Sequence, residues 1–555
     1  LQKLLKFSIW YPILIITAAI AIRVTLSIQG WTSTNSDESI MNLMALHIAY
    51  HGEHPTFFYG QNYMGAFEAY IGAVLFRIFA PSVLLMRLEM VGFYAFFLVA
   101  LYALISRLYT RRFALLVLAL FALGSDWTLL HQLQAIGGYP ELPLFVALLF
   151  LVAYRLVSIR GQWRWYWQAG GYALWGCLAG LALWIHVIVA PYILVSGSLL
   201  VLWCWRDLLK FGAWAALIGF VIGAWPLLWY NLHATPGQDS LSIALNMTGM
   251  GQGATYDFWA HILSSLLVSV PLATGFSSQC LALHLSDQYP FWPTFHSHCI
   301  VEQAIWGGGY LVLLIVAVAM ACMALWHLRR VSQWTIEDRS EAIQQSVRLF
   351  LVIGAVLTLI SYIRGSAPVM APVTGSRYLT CAWVSLPAIL WPLWAGVYYA
   401  KKRWLASTLL VLRVTSALVL IVCMAYETFS VFREIPQAQE TTASIEELSA
   451  YLQKAGVTRF YSEYWTCNRL IFLSQEKLIC ANTWIANGKI IHNPDRYKPY
   501  RAIVEAASNP AFVYPVGDTR AQTLEQELSI ERISYSRKQM AGYVVYRLSR
   551  SVTVT

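Results

Sequence analysis

Charge is what this chain has least of: Asp, Glu, Lys and Arg together make up 12% of its 555 residues, against 58% hydrophobic residues. A soluble domain carries about 25% charged residues, so an ordinary soluble fold is excluded. Metal-binding motifs are missing as well. There is no Cys-x-x-Cys and the histidines lack ligand spacing, so no zinc site is expected. No small-residue cleavage site follows the first apolar run, Phe7 to about Ser27, which is expected to serve as span and insertion signal together. Paired internal repeats, common in transporters, do not occur either. Finally, residues 231–303 contain no Lys or Arg, which argues against that stretch holding an anionic ligand alone.

What is present is a succession of apolar runs reaching about residue 426, each near the roughly 20 residues that a membrane span requires. The fold class expected is a polytopic α-helical membrane protein. About eleven spans (range roughly 10–13) are expected near 7–27, 82–106, 113–125, 140–158, 169–186, 188–205, 211–230, 304–327, 345–363, 378–400 and 404–426. The stretch 68–79 is too short to span and suits a helix lying at the interface. A second interfacial helix could occupy Phe258 to Val270.

The net charge of +10 would suit nucleic acid, but the basic residues fall in short groups between apolar runs, where they set orientation. No nucleic-acid partner is expected. With Lys3 and Lys6 in the cytoplasm, the groups Arg107/Arg111/Arg112, Arg155/Arg160/Arg164, Arg206/Lys210, Arg329/Arg330/Arg339 and Lys401/Lys402/Arg403 all fall on the cytoplasmic side. The loops 28–81, 126–139, 231–303 and 364–377 then face outward. So does a small α/β domain over 436–555, with residues 1–435 forming the membrane domain. In that outer domain Ser444-Ile445-Glu446-Glu447 has the pattern of a helix start, and Arg459-Phe460-Tyr461, Leu470–Ser474 and Lys477–Ala481 that of strands. Cysteines in the outward regions suit two disulfides, Cys280–Cys299 and Cys467–Cys480, or four free thiols.

The first outward loop holds the densest chemistry. Asp37 and Glu38 stand side by side beyond the first span, followed by Phe57-Phe58-Tyr59-Gly60-Gln61-Asn62-Tyr63-Met64-Gly65 and by Glu68. A carboxylate at a membrane surface can take a proton from an attacking group, with desolvation tuning its basicity. It can equally be the first-turn acid of a helix Ser39–Tyr50. Gln61, Asn62 and Tyr63 could hydrogen-bond a sugar, and Glu68 is either a further site acid or a solvated helix-start residue. Arg23, Arg364 and Arg377 lie at span ends, where arginine either meets an anion or snorkels to the interface. The second outward loop adds Asp126, His131, Gln134, Tyr139 and Glu141.

An N-terminal span, an outward Asp-Glu pair, a Gly- and aromatic-rich loop and an interfacial helix together resemble the GT-C superfamily of membrane glycosyltransferases. The protein O-mannosyltransferase and lipid A aminoarabinose transferase group is the most similar. The segment Ser376-Arg377-Tyr378-Leu379 is similar to the Arg-Tyr-Leu element of bacterial members. The resemblance implies an inverting hexosyl- or pentosyltransferase of the bacterial plasma membrane, moving sugar from a polyprenyl-phosphate donor to an extracytoplasmic lipid, glycan or protein. It implies Asp37 as base, with Glu38 orienting the acceptor, supporting Asp37 or helping hold a divalent cation such as Mg or Mn. Arg377, in its Arg-Tyr context, would meet the donor phosphate, and Tyr378 and Arg23 are further substrate-binding candidates, with snorkelling favoured for Arg23. A flippase for a lipid-linked glycan is the alternative, and a glycan ligase or polymerase a third reading.

Overall fold

The computed structural model describes residues 2–159, 164–240, 242–243, 257–277, 297–331, 333–399, 403–552 and 554. Helix α1 (Gln2–Ile28) leads through a short loop into α2 (Ser36–Leu46), which continues as one wide turn to His51. The start of α2 is set by Asn35, whose side chain accepts from the Glu38 N–H at 2.8 Å, so both acids sit in the first turn. The helix therefore begins three residues earlier than the sequence pattern indicates. The short apolar stretch is indeed a twelve-residue helix, α3 (Phe67–Ile78).

Then follow α4 (Val83–Leu108), α5 (Arg111–Ala122), α6 (Asp126–Leu133), α7 (Leu142–Ser158), α8 (Trp165–Ile185), α9 (Ala190–Asp207), α10 (Ala213–Gly223) and α11 (Trp225–His233). Beyond them come α12 (Phe258–Ser264), α13 (Val270–Ala273), α14 (Ser297–Arg329), α15 (Ile336–Arg364), α16 (Ala367–Met370), a 3₁₀ run Thr374–Ser385 and α17 (Leu386–Tyr399). Last of the membrane helices is α18 (Arg403–Lys454).

By length and apolarity, seven described helices could cross a membrane, or eight with α5 and α6 taken as one span bent by 86°. This is fewer than the eleven runs in the sequence, for identifiable reasons. Helix α7 is short, and Val187–Gly223 counts as one helix although the chain turns back within it. Cys204 leaves helical geometry, Trp203 lies against Trp334, and Phe211 returns beside Trp165 and Tyr172. Its second arm runs parallel to α8 on a glycine seam: a Cβ on Gly176 would lie 2.0 Å from the Ala216 carbonyl, and one on Gly219 1.9 Å from that of Ala173. Only glycine permits such backbone approach.

Helix α18 passes without interruption through residue 436 and through Ser444, so the Ser444 pattern starts no helix. Beyond it, a six-stranded sheet of order β3-β2-β1-β4-β6-β5 comprises β1 (Arg459–Ser462), β2 (Ile479–Ala486), β3 (Lys489–His492), β4 (Ala511–Pro515), β5 (Tyr535–Met540) and β6 (Tyr543–Leu548). Strand β1 pairs in parallel with β2 and β4, and the outer pairs are antiparallel. Helices α19 (Tyr464–Leu473), α20 (Lys498–Glu505) and α21 (Thr519–Ile530) complete the layer. Leu470–Ser474 is thus the end of a helix and its cap, not a strand. Cys467 and Cys480 form a disulfide joining α19 to β2, whereas Cys280–Cys299 falls outside the described residues.

The sheet does not hang free of the membrane helices. One apolar core runs from Met44, Phe76 and Met86 through Tyr139 into Leu470, Phe472 and Phe512, with Phe76 stacked on Phe472. This shared core places α19 over the first turn of α2.

Candidate active site

Ser36 makes the first link across that seam: its hydroxyl donates to the Tyr464 carbonyl at 2.6 Å and accepts from Asn468 at 2.7 Å. Alongside, the Tyr464 hydroxyl donates to Asp37 Oδ1 at 2.5 Å and accepts from Arg496 Nε at 3.2 Å. Burial and the Asp37 charge push the Tyr464 phenol above its ordinary range, so it stays a donor. On the other side of Asp37, Arg377 Nη1 lies 4.0 Å from Oδ2. Asp37 keeps 21% of its side-chain surface open, enough to meet a ligand.

Arg377 is held over the rings of Tyr139 and Tyr378, at 5.0 and 5.8 Å. Its Nε is buried without a hydrogen-bond partner. Tyr63 stands within the same electrostatic neighbourhood of Asp37, Arg377, Tyr378 and Arg496, and its ring meets His186 edge-on. Gln61 completes the rim: with its amide oriented to satisfy both partners, its oxygen accepts from Arg496 Nη1 and Nη2 at 3.0 and 2.9 Å. Of the expected residues, Asp37, Gln61, Tyr63, Arg377 and Tyr378 are thus brought together. Tyr464 and Arg496 join them from the sheet domain and were not singled out individually in the sequence; the signal was their place in the aromatic stretches Tyr461–Trp465 and Arg496–Tyr500.

The other expected residues are placed differently. Glu38 is fully buried, and both its oxygens accept from Arg87, Nε at 2.7 Å and Nη2 at 2.8 Å, a fork that leaves no oxygen facing Asp37. An Asp37–Glu38 cation site would have to break this pair, so the two do not fit Mg or Mn between them. Asn62 turns away, donating to Tyr230 at 2.6 Å, while its carbonyl accepts from Ser240.

Arg23 is buried and engaged elsewhere. It donates to Gln132 Oε1 (2.8 and 2.6 Å) and to the carbonyls of Ala19, Phe121 and Ala122, and covers the Tyr94 ring at 4.1 Å. The exposed carbonyls at the end of α5 need such a donor where the chain breaks toward α6, and nothing of the guanidinium is left for a phosphate. Arg364 is exposed at the end of α15.

Glu68 lies beneath the site rather than in it. Its oxygens accept from the N–H groups of Gly138 (2.7 Å) and Gly137 (3.1 Å), whose positive φ values of 92° and 100° aim both amides at it. Burial pushes the Glu68 carboxyl up, and both oxygens of Glu141, at the start of α7, are buried with no hydrogen-bond partner among the described residues. Gln134 of the same second loop bonds to Asn35 and Thr32 and holds the N-cap of α2. Trp127 donates to the Ser376 hydroxyl beside Arg377, with the His131 ring packed on it. The second loop therefore reaches the site with His131, Gln134 and Tyr139, while Glu141 lies with Glu68 beneath it.

One grouping bears on the expectation that the histidines lack ligand spacing. His47, His51 and Glu476 bring their ligand atoms within 4.8 Å of one another. The signal was available, since His47 and His51 are four residues apart on one helix; the third member comes from the far end of the chain.

Among solved structures, the aminoarabinose transferase ArnT from Cupriavidus metallidurans bound to undecaprenyl phosphate aligns over 96% of this chain and 97% of its own, with a TM-score of 0.56 and 12% identity. The chain has the GT-C fold. The Archaeoglobus fulgidus oligosaccharyltransferase AglB, in complex with an inhibitory peptide and a dolichol-phosphate, also aligns, over 98% of this chain and 75% of that one (TM-score 0.47, 14% identity). No protein-family model and no curated protein matches. Within this fold, Asp37 lies at the start of the helix beneath the sheet domain, flanked by Arg377, Tyr464 and Arg496.

Proposed function

We propose that this GT-C chain is an inverting membrane glycosyltransferase that moves a sugar from a polyprenyl-phosphate donor to an extracytoplasmic acceptor. The observation carrying this reading is the partly open Asp37 carboxylate set between Arg377 and the Tyr464–Arg496 pair. ArnT, the GT-C structure with the higher similarity of the two compared, was itself solved with undecaprenyl phosphate.

In this reading Arg377 and Arg496 would receive the donor phosphate, for which a guanidinium fork is suited. The sugar would lie against Tyr63 and Gln61. Asp37 takes the proton from the acceptor nucleophile as that atom bonds to the anomeric carbon. The bond from that carbon to phosphate oxygen breaks on the opposite face, and its electron pair leaves with the polyprenyl phosphate. The leaving group is already a phosphate, so no protein acid is needed. Polyprenyl chains need an apolar berth, and an apolar cavity of about 290 Å³ is lined by Phe121, Trp306, Leu313, Met424 and Trp383, the last from the same 3₁₀ run, Thr374–Ser385, that carries Arg377. With the basic loops cytoplasmic, the site and the sheet domain face outward.

The test is transfer of label from a polyprenyl-phosphate sugar panel by wild type and by Asp37→Asn. Loss in the variant, with folding retained, is expected. Normal transfer by the variant would remove Asp37 from its role, and translocation of lipid-linked glycan without transfer would establish the flippase instead.

A further inference from the structure

Ten residues beyond Asp37, about 15 Å along the same helix, His47 is enclosed by a network that the transfer chemistry does not use. Its ring is fully buried, with Nδ1 2.9 Å from the Tyr59 hydroxyl and Nε2 3.2 Å from Glu476 Oε1 and 3.0 Å from the Tyr500 hydroxyl. The protons of both phenols are already committed: Tyr59 donates to Glu53 Oε2 at 2.5 Å and Tyr500 to Glu476 Oε1 at 2.9 Å. The Tyr59 oxygen can therefore only accept from His47, which fixes the hydrogen of the neutral ring on Nδ1. Nε2 then turns a lone pair toward a carboxylate and a phenol oxygen, an arrangement that a cation bound between them would satisfy. Glu476 Oε2 lies 3.4 Å from Nε2 of His51, whose ring stacks on that of His47.

We propose that His47, His51 and Glu476 form a binding site for a divalent transition metal of the zinc class. Two imidazoles and one carboxylate are a donor set for such ions, while Mg and Ca favour all-oxygen sites. Metal–ligand bonds of about 2.0–2.1 Å at tetrahedral angles put neighbouring ligand atoms about 3.3–3.4 Å apart. Each imidazole faces its own Glu476 oxygen, His47 Nε2 at 3.2 Å from Oε1 and His51 Nε2 at 3.4 Å from Oε2, and with one ligand atom from each residue the three lie within 4.8 Å of one another, a group that modest side-chain shifts draw in to that edge. The His47–Tyr59–Glu53 chain is the outer support that metal-bound histidines carry, fixing tautomer and ring orientation. The site ties α2 to the sheet domain, since both histidines belong to the first loop and Glu476 follows α19. It therefore positions Tyr464 over Asp37 without touching the transfer chemistry.

The experiment is uptake of Zn²⁺ and Co²⁺ by the chelator-stripped full-length protein in detergent, read by metal analysis and by the visible band of tetrahedral Co²⁺. The comparison is with His51→Ala, chosen because His51 is partly exposed and its loss spares the core. About one ion per chain is expected for wild type, at least about tenfold weaker binding for His51→Ala, and weakening of about 10- to 100-fold for Tyr59→Phe through the lost outer support. Zinc should also raise the unfolding temperature of wild type and not that of His51→Ala. No uptake by wild type, or equal uptake by His51→Ala, would overturn the proposal and leave His47 as an imidazolium paired with Glu476.

Discussion

Tyr464 donates its phenol hydrogen to Asp37 across 427 residues of sequence, at 2.5 Å. The sheet domain is thereby part of the site that α2 begins. A hydrogen bond to an ionised group contributes about 1.5–3 kcal/mol, so Tyr464→Phe is expected to lower kcat by about 10- to 100-fold with the fold intact. Steady-state transfer assays with circular dichroism check it, and an unchanged kcat would mean that Tyr464 serves only to dock the domain.

Arg377 and Arg496 approach Asp37 from different domains, one beside Oδ2 and one through the Tyr464 oxygen. If both meet the donor phosphate, replacing either with Ala raises KM for the lipid donor by about 10-fold or more, while a Lys at either position restores charge but not the fork. Donor titrations with the Ala and Lys variants test this. A KM change confined to the acceptor would assign the arginines to the other substrate.

Glu38 is the catalytic candidate that geometry reassigns to structure. Arg87→Ala leaves its carboxylate buried and unpaired and is expected to destabilise by about 3–5 kcal/mol. The double change Glu38→Gln with Arg87→Met should recover much of that loss, because no charge then remains buried. Thermal unfolding in detergent reads both, and transfer by the folded double variant shows whether Glu38 has any part in chemistry.

Much of this was legible in local signals. The short helix α3, a helix opening near Asp37 and the β1 and β2 strands announce themselves through run length and apolar pattern, although the cap of the Asp37 helix is Asn35, three residues ahead of the start the pattern indicates. The Cys467–Cys480 bridge was one of two arrangements that the outward cysteines allowed. What was not legible depends on partners far away in the chain. Arg87 sits inside an apolar run and gives no hint that Glu38 needs it. Arg23 has the pattern of any snorkelling arginine until the broken end of α5 is laid against it. The Ser444 pattern has every mark of a helix start, yet α18 runs through it because those residues are equally at home on a solvated helix face. The fold-back near Cys204 was legible by contrast, since the expected spans 188–205 and 211–230 meet at the basic pair Arg206 and Lys210.

The Cys467–Cys480 disulfide closes a loop of 13 residues between α19, which carries Tyr464, and β2. Constraining a loop of that length stabilises by about 3 kcal/mol. Replacing both cysteines with serine should therefore lower the unfolding midpoint of the sheet domain, and reductant should shift wild type but not the double variant. Because α19 also supplies the Tyr464 and Asn468 contacts to Asp37 and Ser36, transfer should fall along with stability. Zinc-dependent stabilisation should persist, since Glu476 lies between the two cysteines but is also held by Tyr500. Loss of transfer with no change in unfolding would place the effect of the disulfide on the geometry of α19 alone.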